Sequence, residues 1–149
     1  MHIHRSRDEK AIQAILSHPK VHPWLIDDLT PKDCKPVMHD SIIYLMDVDK
    51  TGVVRFDPMN GVCCQAHIAT LPAMWGKAVE FSTMSIQWIF KNTKYQKIMT
   101  MVPEYNSLTV RLCRKLYMTQ EGVLTKAFLK DWNLYSLIIF GINKHQEET

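Results

Sequence analysis

The residues of this chain whose types and spacing could do chemistry fall in a few places. The stretch PAMWGKA, residues 72–78, puts one of only five glycines just ahead of a long amphipathic run. A helix starting there leaves its first backbone N–H groups free, and with the helix dipole they make a site for an anion. Gly76 lets that anion approach without meeting a Cβ; an ordinary loop glycine is the plainer alternative. In the segment before it, Gln65, His67 and Ala69 alternate onto one face of a strand. His67 is the titratable one of the three, and an ordinary histidine pKa of about 6.5 suits removal of a proton from an ammonium near neutral pH; a satisfied core histidine is the alternative. The four cysteines form no CxxC pair, and the adjacent Cys63 and Cys64 face opposite sides of a strand, so they cannot hold one metal together. Both read as small core residues, and no metal site is expected. Arg111, Arg114 and Lys115 stand at helical spacing as a solvated basic face, with a phosphate contact as the lesser reading.

The rest of the chain must position these groups. At 149 residues it is long enough for one domain, residues 1–149, with its own core. The net charge of +3 is spread among interleaved acidic residues, and no strand alternates aromatic with basic side chains, so nucleic acid is not an expected partner. The longest apolar run, around 137–142, falls short of the ~20 residues of a membrane span. The start, MHIHRSRDEK, is too polar for a signal peptide. With reduced cysteines, these features point to a cytoplasmic location. His145–Thr149 reads as a loose tail.

The order of elements carries most of the fold information. His2–Arg5 reads as a short strand, and Ser6 with Glu9 as a capping box for a helix over DEKAIQAILSHP. WLIDDL suggests a second short helix, and the Pro-rich TPKDCKP after it a mobile segment. SIIYLMDVD, VVRFDPM and VCCQAHIATLP follow as three strands joined by turns, an antiparallel meander. The period then turns helical, with Ala78, Phe81, Met84, Ser85, Trp88 and Ile89 on one face as far as Asn92. KIMTMVP is a strand that can lie parallel to the one before the helix. A helix over 106–116 presents Leu108, Leu112 and Leu116, and EGVLTKAFL and NLYSLIIFGI finish as two strands. The sum is an α/β domain with a mixed sheet.

This order, with PAMWGKA between strand and helix and YNSLTVRLCRKLYMTQEGVLTKAFLKDWNLYSLII toward the end, resembles the GNAT superfamily of acyl-CoA-dependent N-acetyltransferases. The resemblance covers nearly the whole chain and is strongest from residue 62 onward, where it is similar to the ribosomal-protein acetyltransferase branch. Acetyltransferase-like proteins encoded by bacteriophages are also similar. The resemblance implies a twisted, mostly antiparallel mixed sheet of about seven strands with four helices, and acetyl-CoA as cofactor. In the family a strand splays from its neighbour and a loop of pattern R/Q-x-x-G-x-G/A leads into a helix that receives the cofactor's pyrophosphate. Here the loop is Ala73-Met74-Trp75-Gly76-Lys77-Ala78: Gly76 and Ala78 match, and Ala73 replaces the family's Arg or Gln. The implied cofactor contacts are Ile68, Thr70, Met74, Trp75, Gly76, Lys77, Ala78 and Asn106, the last matching an Asn that bonds the pantetheine arm or caps its helix. Where the family often has a Tyr that protonates the departing thiolate, this chain has Cys113, for which a buried structural cysteine is the plainer reading, and the usual Gly-Phe is Tyr117-Met118. His67 falls where the general base is expected, and Asp131 and Tyr135 where residues line the acceptor.

The expected function is therefore transfer of an acetyl group from acetyl-CoA to an amine, on a small molecule or a protein, by direct attack. The alternative is a catalytically degenerate fold acting as a structural or interaction subunit, with a second copy or a phage particle as partner and Trp24, Trp75 and Trp132 as anchors. In that case it works in the host cytoplasm or in the virion. The departures at Ala73, Cys113 and Tyr117-Met118 favour the alternative, and the state of the cleft beside Gly76 decides between them.

Overall fold

The computed structural model describes residues 1–30 and 33–145; part of the Pro-rich segment (31–32) and most of the tail (146–149) lie outside it. Seven strands form one sheet in the order β1-β2-β3-β4-β5-β7-β6. They are β1 (Ile3–Arg5), β2 (Ile43–Asp47), β3 (Gly52–Pro58), β4 (Cys63–Thr70), β5 (Lys97–Pro103), β6 (Thr119–Lys130) and β7 (Asn133–Asn143). Every neighbouring pair is antiparallel except β4 with β5. Three α-helices accompany them among the described residues: α1 (Glu9–Leu16), α2 (Ala78–Asn92) and α3 (Ser107–Lys115). The expected fourth helix over WLIDDL does not form; a single 3-10 turn, His22–Trp24, ends on the first residue of that segment. Asp27 then diverts the chain, because its carboxylate accepts from the N–H groups of Leu29 and Thr30 and closes a turn.

The meander is fixed by its turns. Between β2 and β3 the buried Asp47 carboxylate accepts from the Thr51 and Gly52 N–H groups, both at 2.8 Å, so the hairpin carries its own internal anchor. Gly52 is required for another reason: a Cβ there would stand 2.8 Å from Cε2 of Phe81, so the glycine lets α2 lie directly on β3. On one face of the sheet α2 and α3 bury the larger core, around Phe56, Phe81, Ile89, Ile98 and Phe140. On the other, α1 buries a smaller one with Ile12 and Ile15 against Met46, Val53 and Ala69. Both cores rest on apolar area removed from water.

Three local expectations need correction. The N-cap of α1 is Asp8, whose carboxylate accepts from the Ala11 N–H at 3.1 Å, while Ser6 is buried and accepts from Asp8 instead. An aspartate two positions nearer the helix outcompetes the serine, with its charge at the positive end of the dipole. The buried face of α2 is Phe81, Ser82, Ser85, Ile86, Ile89 and Phe90, so Met84 and Trp88 sit at its margin. In α3 the buried residues are Val110 and Cys113, whereas Leu108 is 70% exposed. Leu112 and Leu116 are half-buried, so the leucine stripe lies at the margin of the buried face instead of at its centre.

Phe81→Ala is expected to cost about 3–5 kcal/mol in urea unfolding. Leu108→Ala should stay within about 0.5 kcal/mol of the parent; equal costs would restore the original stripe.

Candidate functional site

The site is built where a ladder stops. β4 and β5 pair in parallel only through Cys63–Lys97, Cys64–Ile98 and Gln65–Met99, although β4 runs on to Thr70 and β5 to Pro103. The pairing on the opposite edge of β4 continues to its end, with Leu71 N–H donating to the Thr51 carbonyl at 2.7 Å. Residues 65, 67, 69 and 71 therefore turn their backbone groups to β3, and 66, 68 and 70 turn theirs to the gap. At the branch the Thr100 hydroxyl donates to the Ala66 carbonyl at 2.9 Å, a side chain standing in for the missing strand partner. At the far end the Trp75 indole N–H donates to the Thr70 carbonyl at 3.2 Å. Between them, Ile68 presents both its N–H and its C=O to the gap, a strand edge able to pair with an extended amide-bearing arm.

The gap leads to the start of α2. A 3-10 turn over Pro72–Lys77 runs directly into the helix, and no side chain caps its N-terminus. Gly76 answers to nothing in the protein: its φ is not positive and a Cβ there would meet no atom within 4 Å. Neither turn geometry nor packing calls for glycine here, which leaves approach by something outside the chain as its physical use. Lys77 and Trp75 are exposed beside it. Met74 must be corrected as a cofactor contact. Its side chain is 2% exposed in the larger core, and its N–H donates to the Leu71 carbonyl at 2.9 Å. The loop alternates inward and outward, so Met74 anchors the turn that Trp75 and Gly76 present.

On the face away from α2, three side chains of the meander form a charged group. Arg55 pairs directly with His67 across the β3–β4 register, and Asp57 stands two residues on. The Asp57 carboxylate binds Arg55 Nε at 2.7 Å and approaches His67 Nε2 at 3.5 Å, which leaves the other ring nitrogen of His67 free of it. Half of the His67 side chain stays accessible (51%). Crowding by the neighbouring strands holds its pKa below the ordinary value, Asp57 opposes this and Arg55 adds to it. Neither Arg55 nor Asp57 was singled out from sequence; the signal was there, since strand pairing of VVRFDPM with VCCQAHIATLP sets them beside His67.

Cys113 is 3% exposed in the larger core, and burial pushes its thiol up to about 12. A thiol that reluctant to ionise, enclosed by apolar side chains, is a packing residue, and its reading as a proton donor is withdrawn. Asn106 is the N-cap of α3, accepting from the Thr109 N–H at 3.2 Å, and its carboxamide keeps its N–H donors. Tyr135 meets Tyr105 edge-on at 4.7 Å, and Asp131 lies in the β6–β7 turn. Among the described residues no group of His, Cys, Asp and Glu could hold a metal, and no helix is long and apolar enough to cross a membrane.

No family model matches the chain. A 73-residue stretch, 49% of the chain, is 33% identical to an SPbeta prophage-derived uncharacterized N-acetyltransferase, YokL, of Bacillus subtilis (strain 168). That match spans 41% of the relative's length. The spermidine N-acetyltransferase of Vibrio cholerae, solved with CoA and spermine, superposes with a TM-score of 0.80 at 16% identity, over 99% of this chain and 98% of that one. The ribosomal-protein-S5-alanine acetyltransferase of Vibrio fischeri does so at 0.75 and 17%, over 95% and 91%. The fold is thus the GNAT N-acetyltransferase fold, as the resemblance implied.

Because desolvation disfavours its charged form, His67 should titrate below about 6.5 in an NMR pH series. A histidine held below its unfolded value adds stability above that value and loses it as the pH falls. Asp57→Asn should move the midpoint further down and Arg55→Met should move it up; the reverse order would contradict the assigned pairing.

Proposed function

We propose that this chain is an acetyl-CoA-dependent N-acetyltransferase. The observation that carries the reading is the β4–β5 gap, which runs from unpaired strand edge to uncapped helix start beside a glycine with no other use. Acetyl-CoA supplies a thioester whose acetyl group passes to a neutral amine. The backbone N–H groups around Gly76, Lys77 and Ala78, with the dipole of α2, would hold its pyrophosphate; Ala73 removes a side-chain contact but no backbone donor. The Ile68 edge would pair with the pantetheine amide in place of the strand that β5 withholds, and the N–H of Ile68 or of Thr70 would polarise the thioester carbonyl. Thr70 offers only its N–H, since Trp75 occupies its carbonyl. The Asn106 amide would reach the same arm from the start of α3.

His67 serves as the base. Its lowered pKa keeps it neutral at pH 7, ready to take a proton from the acceptor ammonium, and Asp57 steadies the imidazolium that results. The freed amine forms the new C–N bond and the C–S bond breaks. The second proton of that nitrogen passes to the departing thiolate, directly or through water, so no protein acid is required. Most of the rate then comes from holding amine and thioester together in the gap. The phage-related YokL supports, as a proposal, a phage or prophage setting for the same activity.

Calorimetry of the purified protein with acetyl-CoA should give saturable, micromolar binding, and CoA thiol should appear when an amine is added. Gly76→Val should weaken binding at least about tenfold, some 1.4 kcal/mol, with an unchanged unfolding midpoint. No binding at millimolar acetyl-CoA would overturn the reading. Binding without thiol release from any amine would leave the degenerate, interaction-only role.

A further inference from the structure

At the β1 edge of the sheet lies a cavity that acetyl transfer does not use. The turn from β1 into α1 and the segment leading into β2 partly enclose about 240 Å³, lined by Arg5, Ser6, Arg7, His39, Ile42 and Tyr44 among others. Sites for drug-sized molecules run to about 300–1,000 Å³, so an occupant here must be small. One wall is apolar. Tyr44 and Ile42 belong to the core under α1, and Met38 adds a half-exposed thioether chain. The Tyr44 hydroxyl is spent on the Val37 carbonyl at 3.0 Å, which leaves the ring as an apolar surface.

The polar groups are mostly donors. The Arg5 and Arg7 guanidiniums converge on one residue: Arg5 Nη2 donates to the Asp40 carbonyl and Arg7 Nη1 to the Asp40 carboxylate, both at 2.9 Å. Drawing two like charges to one place is unfavourable unless further negative charge joins them. Each guanidinium has five N–H donors, so most remain for another acceptor. His39 Nδ1 accepts from the Ser41 N–H at 3.1 Å, so the neutral ring carries its proton on Nε2, a further donor. Ser6 is buried, and its oxygen accepts from the Asp8 N–H at 3.2 Å, which leaves the hydroxyl proton to give. The one carboxylate lining the cavity is Glu9, and among the described residues it forms no ion pair with either guanidinium. Asp8 beside it is already engaged by the Ala11 N–H and by Lys50.

We propose that this cavity is a second ligand site, separate from the β4–β5 gap, and that its ligand is a free α-amino acid with an apolar side chain. Two guanidiniums, Asp40 and Glu9 sum to no net charge, which suits a zwitterion. The ligand's carboxylate would take the spare N–H groups of Arg5 and Arg7, with planar guanidiniums matching its two oxygens. Its ammonium would pair with Glu9, and its side chain would rest on Tyr44, Ile42 and Met38. Such a ligand is not the acceptor of the transfer. Tyr44 pairs across the sheet with Arg55 and Arg55 with His67. That is two strand spacings, roughly 10 Å, too far for an amine held at Glu9 to be the one that His67 deprotonates.

L-Leucine is the probe, titrated into the full chain at constant ionic strength and followed by calorimetry and by amide correlation spectra. Saturable binding is expected with a dissociation constant near or below about 1 mM, and amides of residues 5–9 and 38–44 should shift while those of 66–70 and 76–79 stay still. Isoamylamine, which lacks the carboxylate, and 4-methylpentanoate, which lacks the ammonium, should each bind at least about tenfold more weakly. Arg7→Gln and Glu9→Gln alter exposed side chains and should keep the unfolding midpoint and the acetyl-CoA affinity, yet weaken leucine severalfold. Absence of saturable binding at millimolar leucine overturns the proposal. So does equal binding by either half-ligand or by both variants, or a set of shifts centred on the β4–β5 gap. Acetyl-CoA binding is measured separately on the same samples, so this site and the transfer reading stand or fall independently.

Discussion

Two parallel strands that begin to pair and then part are the constraint on which this molecule turns. Backbone amides in a folded protein need partners, and a sheet interior is where they ordinarily find them. β4 and β5 share only three register pairs before separating, and they remain apart because each is held on its other edge, β4 by β3 over Gly52–Thr70 to Pro58–Cys64 and β5 by β7 over seven pairs. The gap is thus held open by two well-paired half-sheets that meet at one short seam. Thr100 closes the seam with a hydroxyl, and Trp75 tends the last carbonyl; what lies between is left for a partner from outside the chain.

Most else of interest is arranged around that gap. The crossover between the two strands must be helical, so a helix N-terminus falls at the end of β4 with its dipole aimed at the opening. Alternation along β4 sends its odd-numbered side chains to the α1 face, and this places His67 beside Asp57 and Arg55 one residue away from the unpaired edge. The loop after α1 and the hairpin tip converge past the end of β5, bringing aromatic rings and carboxylates to the third side.

The sequence made the frame legible and the details less so. Strand count, the meander and the parallel return to β5 followed from hydrophobic period and connection length, which act over many residues at once. The helix faces were read a step out of phase, because Leu108 is apolar but exposed while Ser82 is polar but buried. Periodicity weighs residue type, whereas the structure selects by fit against the sheet. Gly76 and Asn106 stood out as local signals, one by scarcity and the other as a helix cap. Thr100, Asp57, Tyr105 and the Asp28 lock on the hairpin did not, since each acts on a residue remote in sequence: the Asp28 contacts span 103 and 104 positions. Between the two readings of Cys113, proton donor and structural cysteine, burial among residues distant in sequence decides for the second.

The most direct measurement of the central claim is an amide correlation spectrum of the labelled protein titrated with acetyl-CoA. If the gap is the cofactor's place, the amides that move will be those of residues 66–70 and 76–79, on the unpaired edge of β4 and at the start of α2, while the α1 core stays still. Shifts confined to other surfaces, or none at saturating cofactor, would mean that the parted strands serve the fold alone.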